Sequence, residues 1–428
     1  MKILKNAIFA LSAVLFFSAC NNDDEAPTPA ESATFTVTIE NTLAPKDYLA
    51  SGATGLLLSG EQEQFTFHAG RGAFLNLATM FVQSNDLFYA FDEKGLELYD
   101  ESGNAVTGDV TEYLGLWDAG TEVNEAPGDG PNQAPRQSGP NTGMDENGVV
   151  GLVNDGYTYP ANESVIRVSL AHDGGTEFTL TLENISGSAS LPTPLAPGIW
   201  AVHGAGVNLF ETGKAASAGL EAIAEDGNNA AMVASLEDKT GYVSPFAPGV
   251  WAIHNAGDMP LFTNGAADRG EGLEALAEDG DPSVLNTSLN SANDVIAHGV
   301  FNTPEGATAP GPLMPGASYS FTFDAEEGAY LNLATMLVHT NDLFYAYGEG
   351  GLALFNNGMP VNGDITGNIQ LWDAGTEVNE YPGAGNHQPA RGGGDSGPDE
   401  NGIVQPVNDA FTYPAVSDAI RVTIEAKN

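Results

Sequence analysis

Residues 34–41 read TFTVTIEN, and residues 177–184 read EFTLTLEN. In the first stretch Phe35, Val37 and Ile39 alternate with Thr34, Thr36 and Thr38; in the second Phe178, Leu180 and Leu182 take the apolar places. Alternation with period two marks a strand with one buried face. The same rhythm returns at Ile166, Val168 and Leu170 and at Ile420, Val422 and Ile424. Between these stretches lie shorter apolar segments, among them Phe65 to Phe67, Phe321 to Phe323 and two LNLATM runs, separated by Gly, Pro and Asn clusters. With 52 glycines and 25 prolines in 428 residues, tight turns between short strands are expected. The fold class is therefore all-β, and strands with one apolar face pack most simply as an antiparallel β-sandwich.

The chain also repeats itself. LNLATMFVQSNDLFYAF (75–91) returns as LNLATMLVHTNDLFYAY (331–347), LWDAGTEVNEAPG (116–128) as LWDAGTEVNEYPG (371–383), and VNDGYTYPANESVIRVSL (153–170) as VNDAFTYPAVSDAIRVTI (407–424). PLAPGIWAVH (194–203) and PFAPGVWAIH (245–254) form a smaller duplication, each followed by GLEAIAEDG or GLEALAEDG. Read linearly, this gives two tandem domains, 34–172 and 176–428. The second would carry a doubled insert of about 51 residues per copy, near 194–244 and 245–300. The GLEALAEDG segments are the helical candidates, and each is long enough for two turns only.

Composition narrows the function classes. Fifty-seven acidic against 13 basic residues give a formal net charge of −44, and a surface so acidic excludes a nucleic-acid binder. Repulsion among these carboxylates calls for salt or bound cations. The N-terminus, MKILKNAIFALSAVLFFSAC, has Lys2 and Lys5 before an apolar run and ends at the only cysteine, Cys20. Residues 1–19 read as a signal peptide, and FSAC resembles a bacterial lipobox that would make Cys20 the lipidated first residue. Residues 20–33 then form a polar, acidic, proline-containing tether. The expectation is an outer-membrane lipoprotein held to the membrane by its lipid alone and exposed at the cell surface.

Three acids recur in both copies in otherwise apolar settings: Asp86, Asp118 and Glu122 in the first, Asp342, Asp373 and Glu377 in the second. An Asp and a Glu four apart in a glycine-containing loop, with a third acid from a strand end, offer several oxygens to one hard cation, and Ca2+ takes six to eight. The alternative is a set of unpaired surface carboxylates. His203 and His254 follow Trp200 and Trp251 and read as packing residues, because no partner ligands sit at metal-binding spacing. Arg136 and Arg391 lie in the Gly-rich loops 128–143 and 383–398, which lack the phosphate-loop pattern. Local charge pairing and contact with an anionic ligand both suit them. The aromatics of NDLFYAF and NDLFYAY suit either sugar stacking or the core.

SNDLF, LWDAGTE, NDGYTYP and the IRV strand, in that order, resemble the spondin N-terminal domain of F-spondin and mindin and its bacterial relatives, over nearly all of 34–172 and 176–428. The resemblance implies a C2-like β-sandwich with one Ca2+ per domain, held by Asp86, Asp118 and Glu122 and by Asp342, Asp373 and Glu377. The family has Asp where this chain has Glu122 and Glu377, and the usual family cysteines are absent. It also implies a non-enzymatic role in adhesion or recognition of an extracellular glycan or protein. The competing readings are a secreted carbohydrate-active hydrolase using Asp118 and Glu122 as acid and base, and a purely structural envelope protein.

Overall fold

The computed structural model describes residues 31–393 and 395–427. The signal segment, Cys20 and nearly all of the tether lie outside the described residues. The chain folds as antiparallel sheets with few helices, an all-β sandwich architecture built twice. Each module has three layers: a four-stranded outer sheet, a seven-stranded middle sheet, and a pair of helices over the far face of the middle sheet.

In module 1 the outer sheet runs Gln62–His68, Glu177–Asn184, Ile166–Gly174, Gly108–Asp109. Its middle sheet runs Tyr48–Ala53, Ile199–Gly204, Ala73–Met80, Leu87–Ala90, Gly115–Asp118, Gly151–Leu152, with Leu96–Glu97 paired beside Ala73–Met80. Alternation does what the sequence foretold: Phe178, Leu180 and Leu182 turn inward against Leu75, Leu77 and Trp200 of the middle sheet. Each such side chain taken fully out of water contributes about 1.5–3 kcal/mol. The LFYA strand is buried on both faces, with Tyr89 toward the sandwich and Phe88 toward the helices. These aromatics are core, which leaves none of them free to stack on a sugar.

Strand pairing divides the chain otherwise than its linear repeats do. The strand Ser32–Asn41 pairs with Ser318–Glu326 on one side and Ile420–Lys427 on the other, so TFTVTIEN is an inner strand of the second sandwich. Its counterpart EFTLTLEN pairs with Gln62–His68 and Ile166–Gly174 and belongs to the first. The boundaries 34–172 and 176–428 are corrected accordingly: module 1 is one continuous span from Tyr48 to Lys239, and module 2 joins Ser32–Leu43 to the chain after residue 244. The reason is burial. Phe35, Val37 and Ile39 have their apolar partners in Phe321, Phe323 and Trp251, and the strand-ending Asn41 donates to the carbonyls of Ser244 and Leu313. Asn184 does the same in module 1, to Leu57 and Thr193.

The doubled insert is corrected by the same pairing. Each copy supplies one module with a middle strand, Ile199–Gly204 or Gly249–Asn255, and with its helical layer. GLEAIAED forms the helix Ala218–Asp226, capped by the Ser217 side chain and ended by left-handed Gly227; LEALAED forms Leu273–Asp279, ended by Gly280. A second helix follows each, Ala230–Lys239 and Ser283–Ser291, which the sequence reading did not anticipate.

Candidate metal centre

The turn after Ala73–Met80 places Asp86 immediately before the strand Leu87–Ala90, and Leu87 pairs directly with Asp118 at the end of the next strand. Asp86 is fully buried. Its Oδ2 accepts hydrogen bonds from the Thr121 amide (2.7 Å), the Thr121 hydroxyl (3.2 Å) and the Glu122 amide (3.1 Å), while its Oδ1 has no partner among the described residues. Asp118 accepts from the Gly120 amide (2.7 Å) and from Asn124 Nδ2 (2.6 Å), and Asn124 Oδ1 is again buried and unpartnered. A buried oxygen without a donor costs roughly 1–3 kcal/mol, so an orphaned carboxylate oxygen here asks for a partner.

The third member of the cluster is Glu146. One carboxylate oxygen each of Asp86, Asp118 and Glu146 lies within 4.8 Å of the others, and Asp342, Asp373 and Glu400 repeat the group in module 2. Two of the three sequence candidates in each copy thus come together, and Glu122 and Glu377 stand outside the group. Glu122 is buried and engaged elsewhere, its oxygens accepting from the Gly143 amide (2.7 Å) and Asn85 Nδ2 (3.3 Å). Glu377 bonds in the same way to the Gly397 amide and to Asn341 Nδ2 (2.9 Å). A Cβ on Gly143 would fall 2.0 Å from a Glu122 carboxylate oxygen, so a larger residue there would displace the Glu122 carboxylate from its bonds. Glu122 fastens the loop; Glu146 follows Asp145, which forms an isolated antiparallel bridge with Glu122, and turns to the acids. Its amide donates to the Thr121 carbonyl (2.9 Å), and that of Glu400 to Thr376 (2.8 Å). The signal missed in the sequence was the repeated DENG, at 145–148 and 399–402.

Electrostatics agree with a cation seat. Burial, then the neighbouring Asp118, pushes the Asp86 carboxyl up to about 7; burial, then Asp373, does the same to Asp342, also to about 7. Asp373 rises to about 6 through burial and the Glu400 charge, and Asp118 is raised by burial. Carboxyls so crowded hold protons near neutrality unless positive charge replaces them. Two buried acidic groups able to hold a metal ion are therefore present, one per module.

The other candidates resolve simply. His203 and His254 are buried, each with Nδ1 on a backbone carbonyl (3.0 and 2.9 Å) and Nε2 without a partner. Arg136 bonds the Gln83 and Gln133 side chains and the Gly130 carbonyl, and Arg391 the carbonyls of Gly383 and Arg71; both bind neutral oxygens. Compared with known proteins, the chain matches no family model and no curated protein.

Proposed function

We propose that this chain is a lipid-anchored, surface-exposed protein whose two sandwich modules each bind one Ca2+ and serve adhesion to, or recognition of, an extracellular glycan or protein. The observation that carries the cation is the pair of orphaned, fully buried oxygens, Asp86 Oδ1 and Asp342 Oδ1, in hydrogen-bond surroundings that match bond for bond. The donor set holds oxygen alone, from Asp86, Asp118 and Glu146, with Asn124 Oδ1 close by through its bond to Asp118. That chemistry suits a hard cation, and the exposed Glu carboxylate leaves room for water or an external ligand to complete the Ca2+ shell.

Support for a recognition role comes from the surface around the site. Val123, Met144, Val149, Leu152 and Tyr157 are exposed on the segments that carry Asp118 and Glu146, and such side chains offer apolar surface that a partner would cover. The hydrolase alternative draws no support from this geometry. Asp86 is sealed from a polymer substrate, and the oxygens of Asp118 and Glu122 are committed to loop amides and asparagines.

Calcium titrated into the chelator-stripped protein tests the reading by calorimetry and melting temperature together. The expected result is two saturable sites and a raised melting temperature, about 2.7 kcal/mol of added stability at a hundredfold excess over Kd. Asp118→Asn is expected to remove one site. No binding at millimolar calcium would sink the proposal.

A further inference from the structure

The segment between the two outer ligands of the second site, Asp373 and Glu400, is the same segment that holds the two modules together. Tyr381 stacks on His68 of module 1 with ring centroids 3.7 Å apart. Asn386 accepts from the Arg71 amide (2.8 Å) and donates to the Tyr99 hydroxyl (3.3 Å), and Arg391 Nε donates to the Arg71 carbonyl (3.2 Å). The approach is close enough that a Cβ on Gly70 would lie 2.2 Å from the Ala384 carbonyl oxygen.

A continuous hydrogen-bond path links these contacts to the acids. Asn341, next to Asp342, accepts from the Glu380 amide (2.9 Å) and donates to the Glu377 carboxylate. Glu380 in turn grips His387, through its amide (2.8 Å) and its ring (3.0 Å), and His387 adjoins Asn386. Module 1 has the inner part of this path, with Asn85, Glu125 and Asn132 in the corresponding places, but not its outer end. Ala126 stands where module 2 has Tyr381, and Pro131 stands where it has Asn386. The loop of module 1 bonds back onto its own module instead, Gln137 reaching Asp226.

We propose that the second cation site is a latch on the joint between the modules, and that the first is not. The inference rests on the cation reading, which in this site is carried by the fully buried, unpartnered Asp342 Oδ1 and by Asn379 Oδ1. A cation drawing Asp342, Asp373 and Glu400 together closes the base of the 374–399 loop and sets Tyr381, Asn386 and Arg391 in register for His68, Arg71 and Tyr99. With the base open, the three acids repel, the loop loosens, and the modules separate about their two connecting segments.

Hydrogen exchange at residues 68–72 reads the joint, because among the described residues the Arg71 amide is held by Asn386 of the other module alone. In the full chain, calcium is expected to slow exchange there at least fivefold. Glu400→Gln is expected to abolish that protection and Glu146→Gln to leave it intact; both residues are exposed, so folding is spared. Coupling is reciprocal, so Gly70→Val, which forces the joint open, is expected to weaken calcium at the second site by on the order of fivefold or more and leave the first unchanged. Two filled sites by calorimetry with unchanged exchange at 68–72 would overturn the latch while leaving the cation reading in place. No calcium binding at all would overturn both.

Discussion

The two modules share sheets, helices and an acidic cluster, yet they are closed differently. Module 1 makes its inner outer-sheet strand locally: Ile166–Gly174 turns at Gly174 and Gly175 into Glu177–Asn184. Module 2 ends its chain at Ile420–Lys427 and takes the matching strand, Ser32–Asn41, from almost four hundred residues earlier. The same architecture thus tolerates a cut between two neighbouring strands, because what holds the inserted strand is burial and hydrogen bonding on both edges, not the turn. The difference also gives module 2 a strand pairing of far longer range than any in module 1, and pairing of long range is slow to form because the loop must close before the contact rewards it.

Deleting residues 1–43 tests this contrast with the largest expected effect. It removes Phe35, Val37 and Ile39, all fully buried, and leaves two strand edges unpaired in the middle of a sheet. The loss is of the order of a whole domain's stability, about 5–15 kcal/mol. Module 2 is expected to unfold while module 1 melts as before, so calorimetry would show one native transition in place of two. A synthetic peptide covering 31–43 is expected to restore the second transition. If both modules survived the deletion, the strand would be an accessory and the corrected boundaries would fail.

A smaller effect follows from protonation. A folded-state pKa raised above the unfolded value means that the native state binds the proton more tightly. Stability from that group is then full below about pH 4 and is lost as pH rises toward the folded value. For Asp86 and Asp342, each raised to about 7, and Asp373, raised to about 6, the window runs from about pH 4 to about 7. Each group contributes on the order of 1.4 kcal/mol per pH unit across it. Chelated protein is therefore expected to melt at lower temperature as pH rises through this window, with module 2 falling further because Asp342, Asp373 and Glu278 all carry large shifts there, against Asp86 and Glu225 in module 1. Saturating calcium is expected to flatten the dependence. Melting curves of the chelated protein at several pH values between 4 and 7.5 check this; a rise in stability across the window would contradict the buried-acid geometry.

Much of this was legible in the sequence, and what was hidden has a physical reason. Period-two alternation gives away strands whatever their partners, so TFTVTIEN and EFTLTLEN were readable as strands. Which sheet each joins depends on which apolar face is left uncovered elsewhere, and no local pattern records that. The 51-residue duplication was equally visible. Its meaning, one copy per module, emerges only when Trp200 and Trp251 are seen filling separate cores. At the acidic site, Asp86 and Asp118 were legible because each sits at a strand end in an apolar context, Asp86 just before Leu87–Ala90 and Asp118 at the close of Gly115–Asp118. Glu146 was not, because it reaches the site from across a long loop of unlike sequence, and because Glu122 offered the expected four-residue spacing.

That substitution of one glutamate for another supplies the finest test. Glu122 lies beside Asp86 in the chain's hydrogen bonding, yet its oxygens fasten Gly143 and Asn85, so it positions the loop. Glu122→Gln keeps one acceptor and one loop bond, and is expected to weaken calcium at the first site by about tenfold, as loss of a supporting residue does. Glu146→Gln removes a carboxylate from the cluster itself and is expected to cost more, and its effect should be repeated by Glu400→Gln at the second site. Titrating both single variants under identical conditions ranks the two roles. If Glu122→Gln were the more damaging, the ligand set inferred from spacing would displace the one the geometry assembles. The ribbon joining 120–123 to 144–148 would then have to rearrange on binding, because Glu122 can reach the cation only by releasing Gly143.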